Sequence, residues 1–223
     1  MVPAKFPPLY PILDAVFLPV DPVQRNETLI ELVTGLAEAG VAILQYRNKQ
    51  GSDVEILRDA GTIRMAATPN LRLILNDFPH LVTEAGFDGV HVGQQDMTPR
   101  EARRLVGTER IVGISTHNEA QLRAADLEPV DYIAIGPVFA TSSKQNPDPV
   151  VGIEGVRLAR HLTSKPVVAI GGITLQNAPQ VWGSGADSIA VISAIFSTGV
   201  DTAKSAGDFL RLFQQKVEVR LHG

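Results

Sequence analysis

A chain of 223 residues, 44% hydrophobic and 20% charged, is long enough for one α/β barrel and too mixed for a fibrous or disordered protein. Its formal net charge of −4, without any basic block, argues against nucleic acid as a partner and makes any cationic site a local one. It has no cysteine, which excludes disulfides, thiolate chemistry and Cys-ligated zinc or iron–sulfur centres.

Residues 9–20 are apolar but interrupted by Pro11, Asp14 and Pro19, so no signal peptide is expected. No run reaches the roughly 18 apolar residues that would suggest a membrane span. A cytoplasmic location, with no membrane partner, is the expectation. The sequence leaves the oligomeric state open, a homo-oligomer included.

In chain order, an irregular segment at 1–8 precedes a first strand at 9–13, ending at Asp14. Apolar residues at Leu29, Leu32, Val33 and Leu36 predict a helix over 28–39, opened by a Thr28/Glu31 capping box and closed at Gly40. Val41-Ala42-Ile43-Leu44 is a second strand. Gln45, Arg47 and Lys49 follow at a spacing of two, which in extended chain points them to one side. A Ser52/Glu55 box opens a helix stopped by Pro69. The third strand, 71–75, ends in Asn76-Asp77, and a short helix over 79–85 ends at Gly86.

The alternation then repeats. Strand four, 89–92, leads into Gly93-Gln94-Gln95-Asp96, and Thr98-Pro99-Arg100-Glu101 caps the next helix with proline at its favoured first position. Strand five, 110–114, ends in Ser115, with Thr116 and Glu119 capping another helix. Strand six, 132–135, runs into a polar loop reaching about Pro149 and a helix over 153–162. Strand seven, 166–170, ends in Gly171-Gly172, and Thr174 caps its helix. Strand eight, 188–191, ends near Ile192-Ser193, and a final helix covers 202–213. Eight strands alternating with helices predict a single-domain (β/α)8 TIM barrel over 1–223. An open doubly wound sheet is the alternative, but no G-x-G-x-x-G follows strand one. Asp88 and Asp187, each after a Gly/Ala turn, read as structural residues on the face away from any site.

Barrel active sites lie at the C-terminal strand ends, and here those ends are polar. Gln45, Arg47, Lys49, Asn76, Asp77, Asp96, Ser115, Thr141, Ser143, Lys144, Gly172, Ile192 and Ser193 all fall on them. Glycine turns after strand seven either let backbone N–H groups approach a phosphate or serve close packing. Asp77 and Asp96 either cap helices or bind a metal. Beside Arg47, Lys49 and Lys144 the metal reading is the stronger, because Mg²⁺ takes one or two carboxylates plus phosphate oxygens. His91, between Val90 and Val92, reads as structural, whereas His117 reads either way. No histidine stands at zinc-ligand spacing, and no G-x-S-x-G elbow supports acyl transfer.

The stretches Gln45-Tyr46-Arg47-Asn48-Lys49, Asn76-Asp77, 89–96, Gly113-Ile114-Ser115, 131–141 with Lys144, 169–173 and 192–195 resemble, in order and spacing, the thiamine phosphate synthase family. The resemblance implies a (β/α)8 transferase that joins a hydroxymethylpyrimidine diphosphate to a thiazole phosphate with Mg²⁺, releasing diphosphate. It implies that Gln45, Arg47, Lys49, Asn76, Ser115 and Lys144 hold the pyrimidine diphosphate. By the same resemblance Asp77 and Asp96 hold Mg²⁺, and Thr141, Ser143, Gly172, Ile192 and Ser193 hold the thiazole phosphate. Arg47, Lys49 and Lys144 are the expected catalytic cations. One departure stands out: Phe78 occupies a position where the family usually has arginine. Two alternatives are a thiazole phosphate tautomerase-like paralogue, with His117 as base, and a non-catalytic phosphate-ligand sensor.

Overall fold

The computed structural model describes residues 6–141 and 148–222, with side chains to residue 216. Eight parallel strands close in sequence order into a barrel: β1 (Leu9–Asp14), β2 (Ile43–Arg47), β3 (Arg72–Asn76), β4 (Gly89–Val92), β5 (Ile111–Thr116), β6 (Tyr132–Ile135), β7 (Val167–Ile170) and β8 (Ser188–Val191). The helices are α1 (Pro22–Glu38), α2 (Asp53–Ala66), α3 (Pro99–Val106), α4 (Glu119–Asp126), α5 (Gly152–Leu162), α6 (Ala178–Gly183), α7 (Ser193–Phe196) and α8 (Thr202–His222). Short 3-10 turns at Ala15–Phe17 and Pro79–Leu81 complete the order.

The period of two along each strand divides the core. Leu9, Leu13, Leu44, Tyr46, Leu73, Leu75, Val90 and Val92 point outward to the helices and join their buried faces in one large cluster. Tyr10, Ile12, Ile43, Ile74, Ile111, Tyr132, Ala134, Val168 and Ala190 fill the barrel. Both faces are buried, as in parallel barrels generally. Phe6 plugs the N-terminal end, its ring 5.0 Å from Tyr132.

Three helix starts differ from the sequence reading. Helix α1 begins at Pro22, where Asp21 caps it by accepting from Val23 N and Gln24 N at 3.1 and 3.0 Å. Proline at the first helical position outweighs the Thr28/Glu31 box, which lies inside the helix. Asn118 caps α4, because the Thr116 hydroxyl donates instead to Ala134 O at 2.8 Å. Asn177 precedes α6, its Oδ1 accepting from Thr174 N at 2.8 Å. The capping boxes at Ser52/Glu55 and Thr98/Glu101 form as expected. Helix α7, not anticipated, starts at Ser193, and α8 continues past Phe213. Among the described residues no helix is long and apolar enough to cross a membrane.

Candidate active site

Strand β2 carries the densest polar array. Gln45 is buried inside the barrel, Arg47 forms an ion pair with Asp14, its partner in register on β1, and Lys49 Nζ lies 2.8 Å from Asp77 Oδ2. The odd-numbered residues thus share one side, as the spacing predicts, with Gln45 inside the barrel and Arg47 and Lys49 nearer its mouth. The even-numbered ones are clamped from outside. Tyr46 donates its hydroxyl proton to the fully buried Asp59 of α2, which Arg25 of α1 grips through Nε at 2.9 Å and through a second guanidinium nitrogen at 2.6 Å. Asn48 Nδ2 bonds Tyr46 Oη at 3.2 Å, while its Oδ1 accepts from Gly51 N at 2.8 Å. A buried Arg–Asp pair of this kind costs about 3–5 kcal/mol to break from one side. It therefore anchors the segment from which Arg47 and Lys49 project.

Two carboxylates face this array. Asp77 is the one described non-glycine residue at positive φ, +66°, a conformation costing of order 1–3 kcal/mol and concentrated at functional sites. Its N–H donates to His91 O at 2.8 Å, tying the end of β3 to β4. Asp96 folds back across its own turn, Oδ2 accepting from Gly93 N at 2.8 Å. A Cβ at residue 93 would lie 2.6 Å from that oxygen, so glycine is what allows the fold-back. Burial pushes the Asp77 carboxyl up, and Asp96 adds to the push against the opposing Lys49. Two like charges brought together at the cost of a raised pKa are an arrangement that a divalent cation relieves. Neither side chain caps a helix.

Nearby, Asn76 Nδ2 is buried without a hydrogen-bond partner, a state with a cost of about 1–3 kcal/mol that a ligand acceptor would remove. No group of three or more His, Cys, Asp or Glu residues suited to a metal occurs among the described residues. Two carboxylates fit Mg²⁺, which usually keeps several waters and takes substrate phosphate oxygens.

Below the mouth runs a buried polar chain that the sequence does not reveal. Gln45 Nε2 donates to Tyr10 Oη at 3.0 Å, the Tyr10 and Tyr132 hydroxyls are 2.9 Å apart, and Tyr132 Oη lies 2.8 Å from His91 Nδ1. His91 Nε2 lies 2.8 Å from Ser115 Oγ. His91 and Tyr132 stack, ring centroids 5.5 Å apart, across the intervening strand β5. They can do so because residue 113 is glycine: a Cβ there would sit 2.0 Å from Tyr132 Cζ. Burial lowers His91 to about 4, so its imidazole is neutral, and raises both tyrosines. The structural reading of His91 holds, but its position between two expected ligand contacts was hidden. The available signal was that Tyr10 and Tyr132 occupy inward strand positions, where a hydroxyl requires a partner.

The loops after β6 to β8 complete the rim. Thr141 follows β6; Ser143 and Lys144 lie outside the described residues. Gly172, at φ +63°, backs onto Ala140 O and Phe139, where a Cβ would come within 2.5 Å, so close packing explains this glycine as directly as ligand approach does. Ile192 precedes α7 and Ser193 begins it, beside the end of β7 in the barrel order. His117 has both ring nitrogens engaged: Nδ1 is 2.6 Å from Gly136 O and Nε2 is 3.4 Å from Asp148 Oδ2. The structure therefore brings Lys49, Asp77 and Asp96 together, holds Arg47 on Asp14 at the neighbouring strand ends, joins Gln45 to Ser115 through the interior, and sets Gly172, Ile192 and Ser193 on adjacent strand ends.

Comparisons with known proteins point to one family. A family model described as thiamine monophosphate synthase matches residues 16–195. The thiamine-phosphate synthase of Koribacter versatilis is 51% identical over 208 residues, covering 93% of this chain and 96% of the relative. That of Agrobacterium fabrum is 41% identical over 198 residues, covering 86% and 90%. Among solved structures, the thiamine phosphate pyrophosphorylase of Pyrococcus furiosus superposes with a TM-score of 0.81 at 28% identity, covering 94% of this chain and 96% of that one.

Proposed function

The chain belongs to the thiamine monophosphate synthase family, and from that premise we propose that it joins 4-amino-2-methyl-5-hydroxymethylpyrimidine diphosphate to a thiazole phosphate, giving thiamine phosphate and free diphosphate. The observation that carries this reading is the convergence of Arg47, Lys49, Asp77 and Asp96 at one end of the barrel, with Lys49 and Asp77 only 2.8 Å apart. Two carboxylates held close together beside Lys49, next to the Arg47–Asp14 pair, suit a metal-bridged diphosphate better than a single phosphate.

In this reading Gln45 and Ser115 hold the aminopyrimidine, and Asn76 offers its unused Nδ2 to the same ligand. Arg47, Lys49 and Lys144 hold the diphosphate. Thr141, Ser143, Gly172, Ile192 and Ser193 hold the thiazole phosphate. Asp77 and Asp96 would hold Mg²⁺, which supplies positive charge to the leaving diphosphate when bound.

The bond from the pyrimidine methylene to the diphosphate oxygen breaks, and the electron pair leaves on that oxygen. The electron-rich aminopyrimidine shares the positive charge left on the methylene, and the lone pair of the thiazole nitrogen then forms the new C–N bond. No proton needs to move in either step, so the reaction asks for no acid–base dyad. The contribution of Arg47, Lys49 and Lys144 is electrostatic, directed at charge that grows as the bond breaks. The barrel positions the thiazole nitrogen near the methylene, which removes much of the entropic barrier.

Incubation of the protein with both substrates and Mg²⁺, followed by an assay for thiamine phosphate, tests the reading. The expected result is product that requires both substrates and the metal. Isomerisation of the thiazole phosphate alone, or binding without turnover, would overturn it.

A further inference from the structure

The buried chain through the barrel has a direction, and its direction links its two ends. Gln45 Nε2 is the group facing Tyr10 Oη, so the amide donates and the tyrosine oxygen accepts. The Tyr10 hydrogen then has one remaining partner, Tyr132 Oη at 2.9 Å. The Tyr132 hydrogen in turn passes to His91 Nδ1 at 2.8 Å, which must carry no proton. A neutral imidazole keeps its proton on the other nitrogen, so His91 Nε2 donates to Ser115 Oγ at 2.8 Å. Left over at the two ends are the acceptor Oε1 of Gln45, beside its second Nε2 hydrogen, and the hydroxyl hydrogen of Ser115. Turning the Gln45 amide round would oblige Tyr10, Tyr132 and His91 to reverse as well, leaving Ser115 able only to accept from a ligand.

We propose that Tyr10, Tyr132 and His91 are positioning residues that lock Gln45 as an acceptor and Ser115 as a donor, making the pocket specific for a ligand with an amine on one side and an acceptor on the other. This rests on the function assigned above and adds to it a physical basis for substrate choice. An aminopyrimidine supplies the amine for Gln45 Oε1, and its ring nitrogen or ester oxygen accepts from Ser115. A 4-oxo pyrimidine presents a carbonyl to the Gln45 oxygen and is rejected, because accommodating it requires five hydrogen-bonding groups to turn together rather than one. Fully satisfied buried networks resist partial rearrangement in this way.

Two measurements test the proposal. The first needs no substrate: nitrogen-15 spectra of the wild-type protein near neutral pH, with His91 assigned by comparison with His91→Gln. The expected result is a protonated Nε2 and a bare Nδ1; a proton on Nδ1 would overturn the direction of the chain. The second compares the KM for the aminopyrimidine diphosphate with the Ki of its 4-oxo analogue in wild type and Tyr132→Phe. That substitution cuts the chain in the middle and touches neither proposed ligand contact. Discrimination between the two ligands is expected to fall about tenfold or more, the equivalent of one well-placed hydrogen bond at about 1.4 kcal/mol, while the KM for the thiazole phosphate stays unchanged. Unchanged discrimination in a folded variant would overturn the proposal. If wild type makes no thiamine phosphate the functional reading fails, yet the His91 tautomer still decides this one.

Discussion

The two rims of the barrel use the same residue, aspartate, in opposite ways. At the N-terminal rim Asp88, Asp131 and Asp187 stand immediately before β4, β6 and β8. Each donates its N–H to a carbonyl of the preceding strand, at 2.8 Å to Leu73, 2.7 Å to Val112 and 2.9 Å to Val167. Each carboxylate then accepts from the N–H of that same residue, at 2.9, 2.8 and 2.8 Å, and pairs with an arginine of the helix that comes before that strand, Arg64, Arg103 or Arg160. At the C-terminal rim Asp14 is filled in the same manner, by Arg47 and the Val16 N–H, but Asp77 has one lysine and a strained backbone, and Asp96 one backbone N–H. The chain itself fills the first set, whereas the second set is short of donors and crowded by like charge. What distinguishes a structural carboxylate from a ligand-binding one here is unfilled coordination, not burial or residue type.

Substitutions at the two rims should therefore separate activity from stability. The largest effect is expected for Asp77→Gly, which removes a carboxylate and also relieves the positive φ. Turnover should fall by about 100- to 1000-fold, the scale for losing one preorganised electrostatic group, whereas the melting temperature should hold or rise. A stability loss alongside retained turnover would erase the contrast. Asp131→Ala is expected to do the reverse. It strips the partner from the buried Val112 N–H and leaves Arg103 without its carboxylate, costing about 1–3 kcal/mol in a denaturant titration, with kcat of the folded protein unchanged.

Gly113→Ala probes the layer between the rims. Its methyl would collide with Tyr132 and should cost about 1–3 kcal/mol, loosening the His91–Tyr132 stack, which near-ultraviolet circular dichroism would register. The smallest effect is expected for Phe78→Arg beside Asp77. A partly solvated cation adds about 0.2–1 kcal/mol, so the KM for the pyrimidine diphosphate should fall by no more than about fivefold.

Particular residues show what a sequence can and cannot reveal. Strand alternation exposed the barrel and collected the polar strand ends, because periodicity is a local property. Asp88 and Asp187 were recognisable as structural from their turns; Asp131 makes the same contacts but lacks the Gly/Ala turn before it. The Thr28/Glu31 box draws the start of helix α1 too late, because the Asp21 cap with Pro22 at the first helical position lies outside the apolar periodicity that marks the helix. The pairing of Arg47 with Asp14, and of Tyr10 with Tyr132, joins strands far apart in sequence, which no local pattern encodes. Asn76 was expected at the site from its place at a strand end; its orphaned donor became visible only with burial.

The most direct test of the account is a crystal structure of the protein soaked with inorganic diphosphate and Mn²⁺ in place of Mg²⁺, the metal located by its anomalous signal. The account predicts a metal held between Asp77 and Asp96, bridging to a diphosphate that Arg47 and Lys49 contact. A diphosphate bound away from Arg47 and Lys49, or a metal that leaves both carboxylates untouched, would contradict it.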